Sequence, residues 1–169
     1  MGTGGLFLRK LRAKVAAEPT GFVWVQEGKL AGSGYPASRS QVEWLVKAGI
    51  DSVLTLTSDP LPAEFTRGLD VVMGHVPMQD HQPPSIDSMD RAVGFVEAQL
   101  ATRKAVLVHC LAGEGRTGCV LAAYLIKTKG TDADAAMAEI RKVKPRFVEW
   151  RQESAVREFA SRTLHSEKQ

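Results

Sequence analysis

The sequence predicts a single α/β domain: a central, mostly parallel sheet flanked by helices. Three observations carry that expectation. Strand-like and helix-like stretches alternate from Gly21 onward, with no linker, repeat or low-complexity tract between them. Ala105-Val106-Leu107-Val108 is a continuous apolar run of strand length, the pattern of a strand buried on both faces of a parallel sheet. The stretch after it, about Thr117 to Lys129, is apolar nearly all round (Val120, Leu121, Ala122, Ala123, Leu125, Ile126), as a helix covered on every side must be.

Taken in order, Phe22-Val23-Trp24-Val25 and Lys29-Leu30-Ala31-Gly32 form a short strand pair around Glu27-Gly28, followed by a turn through Gly34-Tyr35-Pro36. Ser38 or Ser40 can cap a helix that runs to about Lys47 and ends at Gly49. Ile50 to Thr57 is a strand, broken by Asp59-Pro60-Leu61-Pro62, and Asp70 to Pro77 is another, entering a polar loop from Met78 to Pro84. Ser85 starts a helix to about Ala101, with Ile86, Met89, Val93, Val96 and Leu100 at helical spacing. After the buried strand and its helix, which Gly130 closes, come helices from Asp132 to Lys142 and from about Glu149 to Arg162, with Pro145 between them. In such sheets the ligand crevice lies at the carboxyl ends of the strands.

At 169 residues the chain suits one domain, given the usual ~100–200 residues per domain. Apolar residues at 44% and charged residues at 24% exclude disordered, collagenous and fibrous classes, and no apolar run approaches the roughly 18 residues of a spanning helix. Two cysteines, Cys110 and Cys119, are too few for a disulfide framework or a four-thiolate zinc site and point to a reducing compartment, the cytoplasm. The net charge of +3 does not argue for nucleic acid, but residues 109–169, with 11 basic and 8 acidic side chains, suit the part that attracts an anion. Residues 1–20 read as an N-terminal helical extension and 21–165 as the domain. Met1 to Leu6 does not read as a signal peptide, because Arg9-Lys10 interrupts Leu6-Phe7-Leu8 at once, nor as a myristoylation signal, because position 6 is Leu. For residues 6–15 a helix packed on the domain is preferred over a basic amphipathic helix touching a membrane.

At the expected carboxyl end of the buried strand stands His109-Cys110-Leu111-Ala112-Gly113-Glu114-Gly115-Arg116-Thr117-Gly118. Gly113 and Gly115 let the backbone curl so that the amides of Leu111 to Gly115 point inward as a nest, and the helix that starts at Arg116 or Thr117 adds its positive end. Arg116 can grip two oxygens of a tetraoxyanion. A thiol in that field is expected as a thiolate and a strong nucleophile, so the implied ligand is a phosphate ester bound by residues 111–116 with Cys110 beneath it. His109 is expected to orient the loop, and Thr117 to hydrogen-bond the thiolate or to cap the helix. Reading Cys110 as a small buried hydrophobe ahead of an ordinary turn leaves the flanking His, the glycines, the Arg six residues on and the next hydroxyl without a common cause. Cys119 is expected to pack on the core face of the following helix, with trapping of an oxidised Cys110 as the alternative.

His109-Cys110-x5-Arg116-Thr117-Gly118 resembles the signature of the cysteine-dependent protein tyrosine phosphatase superfamily. The chain is further similar to small atypical dual-specificity phosphatases and their archaeal relatives over about residues 21–160, through Phe22–Val25, Leu30–Ser33, Val53–Thr57, Asp80-His81-Gln82-Pro83-Pro84, Ala138–Arg141 and Lys144-Pro145. The resemblance implies a protein tyrosine phosphatase-like fold, no cofactor or metal, and hydrolysis of phosphotyrosine, with phosphoserine and phosphothreonine as further substrates, through a cysteinyl-phosphate. Phosphate, sulfate or vanadate would sit in the loop. It implies that Asp80, 30 residues before Cys110, is the acid that protonates the leaving oxygen. Asp87 and Asp90 fit better in the first turns of the helix after Ser85. Glu149 follows Lys144-Pro145 at the spacing of a Glu that contacts the signature Arg or assists the water step, and an acid starting the last helix is the competing reading. Many relatives place a Gln four residues after that Glu, whereas Gln152 stands three residues on. Phosphoinositide phosphatases tend to carry a Lys where this chain has Glu114, whose carboxylate would repel a polyphosphorylated head group. The alternatives are a phospho-binding module without turnover and a phosphatase for RNA 5′ ends or a phosphoinositide.

Overall fold

A computed structural model describes residues 18–166. The expected N-terminal helix and the question of membrane contact by residues 6–15 lie outside the described residues. Five strands form one sheet in the order β1-β2-β5-β3-β4: β1 Val23–Gln26, β2 Leu30–Ser33, β3 Ser52–Thr55, β4 Val72–His75 and β5 Val106–His109. β1 runs antiparallel to β2, which it meets through the two-strand turn at Glu27-Gly28, and all other pairs are parallel. The mostly parallel sheet is therefore as expected, with an antiparallel strand on one edge.

Alternation along the central strands sends side chains into two cores. Val106 and Val108 of β5 join Leu30 and Leu54 in the larger one, while Leu107 joins Ala31 and Val53 in the smaller. That is why the run reads as continuously apolar. The smaller core is covered by α1, Arg39–Lys47, whose N-terminus Ser38 caps by accepting from the Gln41 amide, and by a one-turn helix α2, Ala63–Thr66. Four residues following a proline carry no periodicity, so α2 left no trace in the sequence. The larger core is covered by α3 Ile86–Ala101, α4 Gly115–Lys129, α5 Ala133–Val143 and α6 Glu153–Ser166. Ser85 and Asp132 cap α3 and α5 by accepting from the Ser88 and Ala135 amides.

α4 is the central helix, and eleven of its residues are buried. It begins at Gly115, two residues ahead of the expected Thr117, because the glycine and Arg116 already take helical backbone. The last predicted helix divides: a 3-10 turn, Trp150–Gln152, precedes α6, so Glu149 stands ahead of that turn rather than in an α-helical first turn. No helix among the described residues is long and apolar enough to cross a membrane.

Candidate active site

β5 ends at His109, and the chain turns through Cys110 to Glu114 into α4 at the carboxyl edge of the parallel strands. Gly113 lies at φ +68° and so close to β2 that a Cβ would stand 2.2 Å from the Ser33 carbonyl carbon. Only glycine fits there. The loop is pinned from outside through its carbonyls: Leu111 O accepts from Tyr35 N–H at 3.0 Å, Gly113 O from Lys144 Nζ at 2.8 Å, and Glu114 O from the Gly118 and Val148 amides at 2.9 and 3.3 Å. In a trans peptide the N–H points opposite to the carbonyl, so the amides of Ala112, Glu114 and Gly115 are turned toward the inner side. These inward amides lie at the N-terminus of a 15-residue helix, the arrangement of backbone donors that suits an anion.

Cys110, buried, opens this loop. Arg116, in the first turn of α4, is 3% exposed. Its guanidinium donates to Met78 O at 3.1 Å and to Asp80 Oδ1 at 2.9 Å, while Nε has no partner among the described residues. The neighbouring Thr117 hydroxyl is likewise buried without one. The predicted acid loop and the predicted anion-binding arginine therefore meet, though Asp80 and Arg116 lie far apart in sequence.

His109 is buried beneath the loop, and burial, together with the positive charge of Arg116, pushes its pKa down to about 4, with only the Cys110 carbonyl bond opposing. A neutral imidazole has one N–H: Nδ1 donates to the Cys110 carbonyl at 3.2 Å and Nε2 accepts from the Thr55 hydroxyl at 2.8 Å. This ties the Cys110 peptide to Thr55 of β3. Cys119 is fully buried in the larger core, and its thiol, raised above the usual range by burial, donates to Gln152 Oε1 at 3.8 Å.

Glu149 and Gln152 both reach the site. A Cβ on Gly115 would stand 2.4 Å from Gln152 Oε1 and 2.8 Å from Glu149 Oε1, so the glycine admits both side chains against the loop. Gln152 Nε2 donates to Gln82 O at 3.1 Å and ties the Asp80 loop to the 3-10 turn, despite its displacement by one residue from the expected spacing. Glu114 is paired with Arg146 at 3.2 Å, which offsets the carboxylate expected to repel a polyphosphorylated head group. Tyr35, Thr57, Ser58, Asp59 and the exposed Leu111 line, with Asp80 and Arg116, a cleft of about 340 Å³.

The sequence did not reveal Lys144 as the clamp on Gly113, nor Arg141, whose guanidinium donates to Phe147 O and Val148 O at 3.0 and 2.9 Å. Arg141 holds Val148 in a left-handed conformation (φ 62°), costly for a β-branched residue, from which its amide reaches Glu114 O. For the first, the signal available was the Lys144-Pro145 segment of the family resemblance.

A family model described as "Swiss Army Knife protein, DSP-PTPase phosphatase domain" matches residues 19–169. The chain is 39% identical over 105 residues to dual specificity protein phosphatase Mpk3 of Drosophila melanogaster, covering 61% of this chain and 25% of that protein. It is 30% identical over 130 residues to phosphatidylglycerophosphate phosphatase PTPMT2 of Arabidopsis thaliana, covering 74% of this chain and 57% of that protein. The chain thus spans between a quarter and somewhat more than half of the length of these relatives. The solved structure of Tk-PTP in its active form is 28% identical, with a TM-score of 0.68 over 85% of this chain and 96% of that one. A match of that extent, on a fold that carries the thiol loop where the signature predicts it, makes the chain a member of the dual-specificity protein tyrosine phosphatase (DSP-PTPase) family.

Proposed function

We propose that the chain is a protein phosphatase that hydrolyses phosphotyrosine, and phosphoserine and phosphothreonine where they reach the thiol, through a cysteinyl-phosphate on Cys110, and that residues 21–165 are its catalytic unit. The observation that carries this reading is the Arg116 guanidinium: nearly fully buried, beside the inward amides, with an Nε that has no partner among the described residues. A buried cation with spare N–H donors favours an oxyanion, and the adjacent amides supply its other bonds.

In the first step the Cys110 thiolate attacks phosphorus in line with the leaving oxygen. The S–P bond forms, the P–O bond breaks, and its electron pair leaves on oxygen, which takes the proton of Asp80. In the second step water attacks the same phosphorus, loses a proton to Asp80, and the S–P electrons return to Cys110 as thiolate. Through both steps the loop amides of residues 111–115 and Arg116 hold the three equatorial oxygens. The Asp80–Arg116 ion pair couples binding to this chemistry. A phosphoryl dianion competes for the same guanidinium N–H and so loosens the hold of Arg116 on Asp80.

Tyr35 and Leu111 supply apolar walls that suit an aryl phosphate, and Asp59 on the same cleft disfavours a head group with several phosphates. The Glu114–Arg146 pair and the lipid-phosphate phosphatase among the relatives keep a phospholipid ester as the second reading. Two free buried thiols support a reducing compartment, the cytoplasm, as the place of action. The experiment is an initial-rate panel of phosphotyrosyl, phosphoseryl and phosphothreonyl peptides, a phosphatidylglycerophosphate and a 5′-phosphorylated RNA, with Cys110→Ser as the blank. Fastest turnover of the phosphotyrosyl peptide, abolished in Cys110→Ser, is expected. Preference for the lipid or RNA would replace the substrate class, and equal peptide binding by both proteins with no turnover would establish a binding module.

A further inference from the structure

His81 joins two distant parts of the chain. Its φ is 56°, left-handed, and its own amide donates to Asp80 Oδ1 at 3.0 Å. From there Nδ1 lies 3.0 Å from Glu149 Oε2 and Nε2 lies 3.7 Å from Asp80 Oδ2. An imidazolium donates its Nδ1–H to Glu149 Oε2 and also holds its positive charge within ion-pair distance of Asp80 Oδ2, which a neutral ring cannot do. Taking the phosphatase reading as its basis, we infer that protonated His81 is a positioning residue: it clamps the Asp80 and Glu149 carboxylates together and so presents Asp80 Oδ1 to the leaving oxygen of a phosphomonoester.

Among the described residues, the charged groups that face this ring are Asp80 from its own loop, Glu149 from the segment before the 3-10 turn, and Arg116 from α4. The two anions outweigh the cation. His81 is accordingly raised above the usual 6.5, first by its hydrogen bond to Glu149 and then by the charge of Asp80. With Oδ2 on the imidazolium side, Oδ1 is the oxygen turned to Arg116, 2.9 Å away, where a bound phosphoryl group would lie. Gln152 already anchors the loop backbone at Gln82 O, so the clamp governs the orientation of one carboxyl group rather than the loop as a whole. The clamp therefore holds below the raised pKa of His81 and is released as pH rises through it.

Two measurements on the full chain test this. In an NMR titration the His81 imidazole midpoint should fall toward 6.5 in Glu149→Gln; an unchanged midpoint overturns the clamp. In kinetics, His81→Phe should lose roughly tenfold in kcat on phenyl phosphate, less than about threefold on p-nitrophenyl phosphate, and keep KM within about twofold, the pattern of impaired leaving-group protonation. Asp80→Asn should show the same ordering more strongly. Equal losses on both esters, or a loss confined to KM, overturn the positioning role. A wild type inactive on both esters overturns the phosphatase reading and with it the acid role of the clamp. The NMR titration separates that outcome from a missing clamp, because it reads the contact without turnover.

Discussion

A guanidinium that is 3% exposed needs oxygen partners for the N–H groups it carries, and Arg116 finds them in the Met78 carbonyl and the Asp80 carboxylate. In the proposed reaction an oxyanion in the loop would share this guanidinium with Asp80. His109 works in the opposite way, as a neutral pin between Thr55 and the Cys110 carbonyl. Its folded-state pKa of about 4 lies below the ordinary 6.5, so the fold favours the uncharged ring. The associated stability is whole above pH 6.5 and is lost as pH falls toward 4, amounting to about 3 kcal/mol in full. Unfolding free energies of wild type and His109→Gln measured from pH 7 to 4 should therefore converge, the wild type falling more steeply. Parallel slopes would show that the ring charges freely in the folded protein.

At the scale of elements, the thiol loop and the first turn of α4 are gripped by three neighbouring segments. β2 presses on Gly113, the segment before α6 presses on Gly115, and the turn at Phe147–Val148 presses on Gly118, where a Cβ would stand 2.3 Å from the Val148 amide nitrogen. Gly118→Ala drives a methyl group into backbone rather than into a movable side chain, with an expected cost of about 1–3 kcal/mol. Chemical denaturation should show a lower midpoint at unchanged slope, and an undiminished midpoint would mean the turn yields freely. The strand-loop-helix unit was legible in the sequence because its residues are contiguous and each has a local job: apolar run, thiol, glycines, arginine, helix. The grips were not: the segments that carry Lys144, Arg141 and His81 stood in the family resemblance, but their partners Gly113, Val148 and Glu149 are set by the tertiary fold. The 3-10 turn at Trp150–Gln152 was missed for a related reason. So short a turn carries too little periodicity, and its purpose, setting Gln152 against Cys119 and Gln82, is tertiary.

At the scale of the molecule, the parallel strands bring β3, β4 and β5 to one edge, where the thiol loop, the Asp80 loop and the segment at Glu149 converge. The fold class was readable from a single buried strand and the helix behind it, whereas the antiparallel β1 at the sheet edge came from the hairpin signal at Glu27-Gly28. The two cysteines also part company at this scale. Both are buried against the larger core, but Cys110 opens the loop after β5, whereas Cys119 sits within α4 with a thiol whose pKa burial raises. The most direct test of Cys110 as the nucleophile is to quench turnover of an aryl phosphate rapidly in acid and map the protein by mass spectrometry. One phosphoryl group is expected on the peptide that contains Cys110, absent in Cys110→Ser. A phosphoryl group on any other residue, or undiminished turnover by Cys110→Ser, would contradict it.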